Sequence, residues 1–170
     1  MAIIYRATIS PTKLELVEQW LGLADARQVG SYRFDDPDGE VGIEALLVEA
    51  GGEVRQAALS YRSAPLAGAD DHLITTMEHS VLGKRWIHDA QGDPVALAAF
   101  ARALTGEQEQ APLEIWEGDA RVEVLEPTVA LEPIAATDAA PLAGAIRVPG
   151  ATTALLARWE GGEGIVALGG

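Results

Sequence analysis

Three consecutive strand-like segments joined by glycine-containing turns constrain the fold of this chain more than any other feature. These segments cover residues 28–34, 40–50 and 53–61. The first turn, at 35–39, reads Asp-Asp-Pro-Asp-Gly, and the second, at 51–52, is Gly-Gly; both are typical turn sequences. Connections this short join antiparallel neighbours, because parallel strands need a crossover of about a dozen residues or more. The pattern therefore predicts an antiparallel meander.

A helix is expected just before this meander. Residues 10–12 (Ser-Pro-Thr) open it, with Ser10 suited to cap the helix and Pro11 to occupy its first position. Thr12 and Glu15 also have the spacing of a capping box. Apolar residues then recur at helical spacing, namely Leu14, Val17, Trp20 and Leu21. We expect this stripe to pack on the sheet.

Further strands and a second helix complete the first hundred residues. The additional strands are expected at 2–9, 72–82 and 84–88. Asp93 and Pro94 combine a capping side chain with a proline, and they open a helix over 95–104 that is rich in alanine and leucine. Antiparallel strands together with separate helices indicate the α+β class.

Beyond a polar break at 105–112, the chain becomes acidic. The expected elements are a hairpin at 113–125, an irregular connector at 126–141, and short strands at 145–148, 153–160 and 165–168. We divide the chain into an α+β domain at 1–110 and an acidic, β-rich extension at 111–170 that packs on the same domain. Whether this extension joins the first sheet or forms a subdomain is left open by the pattern.

Composition and charge narrow the classes of partner. The chain has 26 acidic and 12 basic residues, so its net charge is −14. A surface this negative repels phosphate backbones and anionic lipids, and we expect neither a nucleic-acid nor a membrane partner.

The absence of cysteine excludes disulfides and fits a reducing compartment. We see no signal peptide and no membrane-spanning run, so a cytoplasmic location is expected. Few lysines and no asparagine suggest a GC-rich genome, such as that of an actinobacterium.

Motifs that carry catalysis are missing from the sequence. It contains neither a phosphate-binding P-loop nor a glycine-rich kinase loop nor the Gly-x-Ser-x-Gly of serine hydrolases. His88 and Asp89 resemble part of a kinase catalytic loop, but that loop also needs an asparagine for a metal ion. The histidines at 72, 79 and 88 are expected on different faces or strands, which argues against a metal site. We therefore assign no catalytic residue, no metal and no cofactor.

Charged residues of both signs lie within strands that otherwise appear well formed. Arg33, Glu44, Glu78 and Arg85 would line one face of the sheet if their strands are neighbours. Two interpretations remain open: a solvated face with cross-strand ion pairs, or a concave polar site that binds a sugar or a partner. Trp86 lies among charged neighbours and is the tryptophan best placed to stack on a ligand.

Several longer motifs occur in an order that resembles the maltokinase N-terminal cap-like domain family. They lie at 11–16 (Pro-Thr-Lys-Leu-Glu-Leu), 30–37 (Gly-Ser-Tyr-Arg-Phe-Asp-Asp-Pro), 39–44 (Gly-Glu-Val-Gly-Ile-Glu), 61–66 (Tyr-Arg-Ser-Ala-Pro-Leu) and 76–86 (Thr-Met-Glu-His-Ser-Val-Leu-Gly-Lys-Arg-Trp). The resemblance covers about residues 1–106. It implies a curved antiparallel sheet with helices packed on one face, akin to a cystatin-like fold.

The same resemblance carries expectations about activity. In fused members the cap precedes a bilobal kinase that phosphorylates maltose, or glucosamine in relatives, with ATP. This sequence ends at Gly170, so we expect a stand-alone member that lacks the kinase domain. The family's ATP, magnesium and sugar-binding residues belong to that domain, and none can be placed on this chain.

Three functional hypotheses follow. The first is a non-catalytic binding or regulatory module linked to maltose, trehalose or α-glucan metabolism, which docks on a sugar kinase or a glucan-metabolising enzyme. The second is an independent small-molecule binder that uses the polar sheet face for a sugar. The third is an enzyme of unknown type with paired carboxylates, for example Glu44 and Glu78. An exposed edge strand would also favour a homodimer.

Overall fold

The computed structural model describes the backbone of residues 2–5 and all atoms of residues 7–170. Its first half contains β1 (Ala2–Tyr5), β2 (Ile9–Ser10), α1 (Lys13–Leu21), β3 (Arg27–Phe34), β4 (Gly42–Ala50), β5 (Glu53–Arg62), β6 (Leu73–His79) and β7 (Gly83–Asp89). The second half contains α2 (Pro94–Leu104), β8 (Leu113–Glu117), β9 (Ala120–Leu125), β10 (Val129–Ala135), β11 (Pro141–Val148), β12 (Thr153–Trp159) and β13 (Gly162–Gly169). Short 3₁₀ turns occupy Asp70–His72 and Ala90–Gly92.

Most of these strands belong to one curved, mostly antiparallel sheet. Its order is β10-β12-β13-β11-β5-β7-β6-β2, and β4 followed by β3 extends it from β5. The pairs β3–β4 and β4–β5 are antiparallel neighbours joined by the two predicted turns. The meander and the α+β class are therefore confirmed. No helix within the residues described here is long and apolar enough to cross a membrane.

A second, three-stranded sheet is formed by β1, β8 and β9. The expectation of one strand over 2–9 is wrong, because β1 pairs in parallel with β8 whereas β2 pairs with β6. Both partners lie far away in sequence, so local strand propensity alone does not reveal the break. The predicted hairpin at 113–125 is confirmed as β8 and β9.

Helix α1 begins with the predicted capping box. The hydroxyl of Thr12 accepts a hydrogen bond from the amide of Glu15 at 3.3 Å, and the Glu15 carboxylate accepts one from the amide of Thr12 at 2.8 Å. Ser10 lies in β2 and does not cap the helix, because the reciprocal pair at Thr12 already satisfies these amides. Helix α2 starts as predicted, with Asp93 accepting from the amide of Val95 at 2.9 Å.

The two helices cover opposite faces of the sheet. On β4, Leu46 and Val48 pack in one cluster with α1, whereas Ala45 and Leu47 pack in another with Phe100 of α2. The expectation that both helices share one face is therefore wrong. Successive strand side chains point to opposite faces, and all four residues at 45–48 are buried, so each face needs its own cover.

The C-terminal strands contribute to the cluster on the α2 side. The expected irregular connector at 126–141 in fact contains β10, which pairs with β12 at the end of the sheet order. Pro133 lies in this strand, and a proline is tolerated on an edge strand because its missing N–H can face away from the partner. Ile146 and Leu155 pack in the same cluster as Phe100. The division at residue 110 stays a prediction.

Gln56 links the central strand β5 to the C-terminal strands. Its side-chain oxygen accepts a hydrogen bond from the hydroxyl of Tyr32 at 2.5 Å. Its amide nitrogen donates to the carbonyl of Gly144 at 3.1 Å and to that of Val166 at 2.9 Å. Gln56 is 2% exposed, so a buried polar side chain with satisfied hydrogen bonds fixes the approach of β11 and β13 to β5.

Candidate functional site

A cleft of about 520 Å³ opens on the face of the sheet that carries α1. Its walls come from the start of α1, the connection between β3 and β4, and the hairpin of β6 and β7. The polar side chains that line it include Lys13, Arg33, Tyr61, His79 and Arg85. The apolar part of the lining includes Ile9, Met77 and Leu82. The cleft therefore combines several cationic groups with an apolar wall.

A buried carboxylate lies beside this cleft. Glu44 is 5% exposed, and Lys13 Nζ lies 2.9 Å from its Oε1 and 2.7 Å from its Oε2. The hydroxyl of Tyr61 donates to Oε2 at 2.8 Å. The Arg33 guanidinium is farther away, with Nη1 at 3.8 Å from Oε1. Both carboxylate oxygens thus have close donors.

These contacts hold Glu44 in its charged form. Burial alone would raise its pKa, but the charges of Lys13 and Arg33 and the hydrogen bonds from Lys13 and Tyr61 lower the pKa from 4.5 to about 2. Burial also raises the pKa of Tyr61 well above 10, and the neighbouring Glu44 charge acts in the same direction. At neutral pH the pair consists of an ionised carboxylate and a neutral phenol that donates to it.

The opposite wall of the cleft is also positive. Arg85 lies across from Met77 on the neighbouring strand β6, and its side chain is partly buried. Burial lowers the pKa of His79, and the charges of Arg85 and Lys13 lower it further. The Nδ1 atom of His79 accepts from the amides at 81 and 82 at 3.1 and 3.0 Å. His79 is therefore a neutral acceptor in a positive surrounding.

The acidic side of the cleft lies at the turn between β3 and β4, where Asp35, Asp36 and Glu40 contribute to the lining. Both oxygens of Asp36 accept hydrogen bonds from backbone amides of the turn, at Asp38, Glu40 and Val41, at distances of 2.9–3.1 Å. The carboxylate of Asp36 therefore holds the turn in place, which is a usual role of Asp in such turns.

Most of these cleft residues fall within one recognisable segment. Residues 20–93 match the maltokinase N-terminal cap domain. The resemblance predicted from the sequence is confirmed over this cap-like segment, which includes β3 to β7 and ends at the cap of α2. A search of curated proteins gave no significant match, and neither did a search of solved structures. Lys13 and Ile9 of the cleft lie outside the cap-like segment.

The cap-like segment brings together three of the five residues singled out from the sequence. Arg33 and Arg85 line the cleft, and Glu44 is bonded to the cleft residues Lys13 and Tyr61. The cross-strand pairs Arg33–Glu44 and Met77–Arg85 place these side chains on the α1 face of the sheet.

Glu78 and Trp86 lie on the other face. Glu78 is the residue after Met77 and Trp86 the residue after Arg85, and adjacent strand residues point to opposite faces. Trp86 packs instead against Lys84, whose Nζ lies 5.2 Å from its ring centroid. The expectation that Glu78 shares one face with Arg33, Glu44 and Arg85 is wrong, and no Glu44–Glu78 carboxylate pair forms. The role of Trp86 in stacking on a ligand stays a prediction.

Sequence reasoning missed Lys13, Tyr61 and His79 as site residues. Tyr61 follows Leu59 by two positions on β5 and therefore shares the α1 face with Glu44. This signal was readable from the meander, whereas the position of Lys13 depends on where α1 docks. Within residues 7–170, no three histidine, aspartate or glutamate side chains form a group that could hold a metal ion.

A second polar cluster lies buried at the start of α2. Arg62 donates from Nε and Nη2 to the two oxygens of Asp93, both at 2.7 Å. His88 is 1% exposed, and its Nε2 accepts from the amide of Leu66 at 3.3 Å. Asp93 is completely buried. Arg62 is partly exposed whereas His88 and Asp93 are fully buried, and the contacts among them join β5, β7 and α2.

Proposed function

We propose that this chain is a non-catalytic binding module of the maltokinase-cap type, which receives a small polar molecule in the cleft on the α1 face. The cleft itself is the observation that supports this proposal. Its volume of about 520 Å³ lies within the range of about 300–1,000 Å³ that is usual for small-molecule sites. Its mixture of apolar and charged side chains is also typical of such sites.

The protonation states of Glu44 and Tyr61 favour binding over catalysis by these two groups. A general acid or base works best when its pKa lies near the operating pH. Glu44 has a pKa of about 2, and the pKa of Tyr61 is raised well above 10. Neither group therefore exchanges a proton readily near neutrality. The separation of Glu44 from Glu78 also removes support from the hypothesis of a carboxylate-pair enzyme.

The match to the maltokinase cap supports a role in maltose, trehalose or α-glucan metabolism. We place this role in the cytoplasm of an actinobacterium, on the basis of the cysteine-free sequence and its composition.

Isothermal titration calorimetry with maltose, trehalose, glucosamine and maltooligosaccharides tests the proposal. We expect binding of at least one of these ligands. Leu82 lies at the cleft and is 44% exposed, so Leu82→Trp should obstruct the cleft and weaken binding. Val122 on β9 is equally exposed at 44% and lies outside the cleft, which makes Val122→Trp the matched control. The absence of binding at millimolar concentrations of every ligand would contradict the sugar assignment.

A second candidate function is docking on a sugar kinase or glucan-metabolising enzyme. Val81 and Leu82, which are 54% and 44% exposed, form an apolar tip on the β6–β7 turn of the cap-like segment. Exposed apolar patches mark interaction sites more often than single exposed residues do. Capture of such an enzyme from lysate should require Val81 and Leu82 and fail for the double serine variant. Sedimentation of the purified chain tests the alternative homodimer.

A further inference from the structure

We infer that the molecule bound in the cleft carries an anionic group, a phosphate or a carboxylate, which is held mainly by Arg85 and Arg33. This inference rests on the proposed function and specifies the chemical class of the ligand. The unused hydrogen-bond donors, the meeting of three cations and the apolar wall of the cleft support it.

Arg85 has hydrogen-bond donors that no described residue uses. Arg85 lines the cleft and is a partly buried residue, yet its side chain forms no ion pair and no hydrogen bond with the part of the chain that the structure describes. A guanidinium has five N–H donors in a planar fork that matches carboxylate and phosphate oxygens. Partial burial of an unpaired cation is unfavourable, so an anion that enters the cleft would satisfy Arg85.

Arg33 provides further donors. Its nearest approach to Glu44 is 3.8 Å, which is longer than a hydrogen bond. Lys13 and Tyr61 already occupy both oxygens of Glu44. Arg33 therefore supplies charge to the buried carboxylate without committing its N–H groups to it.

Local charge in the cleft differs from that of the whole chain. Lys13, Arg33 and Arg85 are three of the 12 basic residues, and all three meet at this cleft although the net charge is −14. Glu44 neutralises one of them. The turn between β3 and β4 brings three acids to the same cleft, Asp35, Asp36 and Glu40, so the cations do not outnumber the acids. The attraction for an anion therefore comes from the unused donors of Arg85 and Arg33 and not from an excess of positive charge.

The remaining lining indicates a small organic anion. Ile9, Met77 and Leu82 provide an apolar wall beside the cations, and the volume of about 520 Å³ exceeds what an inorganic ion needs. Tyr61 also lines the cleft, and Lys13 Nζ lies 5.7 Å from the centroid of its ring. An organic body against this wall would place its anionic group towards Arg85.

Calorimetry with three matched probes tests the inference: glucose, glucose 6-phosphate and glucuronate. We expect at least one of the two anions to bind about tenfold or more tightly than glucose, as for hydrogen bonds to charged groups. Arg85→Gln should remove this preference. Lys84→Gln, one residue away on the opposite face against Trp86, should retain it. Unchanged melting temperatures and circular dichroism would show that both variants are folded.

The same probes distinguish failure of the anionic-ligand inference from failure of the proposed binding function. Preference for glucose 6-phosphate alone assigns a phosphate, and preference for glucuronate alone assigns a carboxylate; both support the inference. If neutral sugars bind as tightly as the anions, or if Arg85→Gln leaves the preference intact, the inference is overturned while the proposed function stands. If neither the neutral sugars nor the anions bind, both are overturned.

Discussion

Replacing Glu44 with glutamine should reveal how strongly the cleft stabilises its buried charge. The carboxylate is 5% exposed and has a pKa of about 2 compared with an ordinary value of 4.5. Each pKa unit corresponds to about 1.4 kcal/mol, so ionised Glu44 contributes about 3 kcal/mol to the free energy of unfolding at neutral pH. Glutamine cannot provide this charge for Lys13 and Arg33.

The sign of the pH dependence follows from the direction of the shift. The folded-state pKa is lowered, so the stabilisation is fully present above pH 4.5 and is lost as the pH falls towards 2. About 2 kcal/mol of it should disappear between pH 7 and pH 3. Glu44→Gln should lack this component, and the difference in stability between the two proteins should shrink by that amount on acidification.

Urea denaturation at several pH values measures this difference. Glu78→Gln is the matched control, because Glu78 is exposed on the opposite face of the sheet and exposed substitutions change stability by about 0.5 kcal/mol or less. Parallel pH profiles for the wild-type protein and Glu44→Gln would refute the reasoning, since they would mean that the carboxylate has an ordinary pKa in the folded state.

Three further predictions concern the fold outside the cleft. Arg62→Leu should destabilise the fold by about 3–5 kcal/mol, because it leaves the buried Asp93 without its partner. The control Arg27→Leu removes an exposed pair with Glu49 and should cost about 1 kcal/mol or less. Equal urea midpoints for the two variants would contradict the role of the buried pair. Gly144→Ala should lower the melting temperature well below that of Gly150→Ala. Both glycines have positive φ, but a Cβ at 144 would lie 2.0 Å from the Gln56 carbonyl oxygen, whereas nothing lies within 4 Å of one at 150; matching losses would disprove the close approach of β11 to β5. Burial, followed by the Arg62 and His72 charges, lowers the pKa of His88 below 6.5, so its contribution to stability should fall as the pH drops below about 6.5; an NMR titration that gives a pKa of 6.5 or more would contradict this assignment.

Local signals predicted most of the regular structure. The two turns at 35–39 and 51–52 specify antiparallel neighbours, and β3, β4 and β5 follow from them. The capping box at Thr12 and the Asp93 cap were also readable, because each depends on side chains within three residues of the amide that they satisfy. Such features need no information about distant parts of the chain.

Part of the candidate site could also be predicted from local sequence signals. Arg33 and Glu44 form a cross-strand pair that the predicted hairpin already implies. The separation of Glu78 from Arg85 was also readable in principle, since strand residues one apart point to opposite faces. Charge type alone does not reveal it, because the face depends on the position of each residue along β6 and β7.

By itself, the sequence determined the meander, the capping box at Thr12 and the cap at Asp93, since each of these depends on residues close together in the chain. Tertiary structure alone decided that α1 and α2 cover opposite faces, that β1 leaves β2 for another sheet, and that Lys13 reaches Glu44. The physical reason is that these contacts join segments far apart in sequence, where burial of both faces of the sheet and pairing of a buried charge select one arrangement among many that local propensity allows equally.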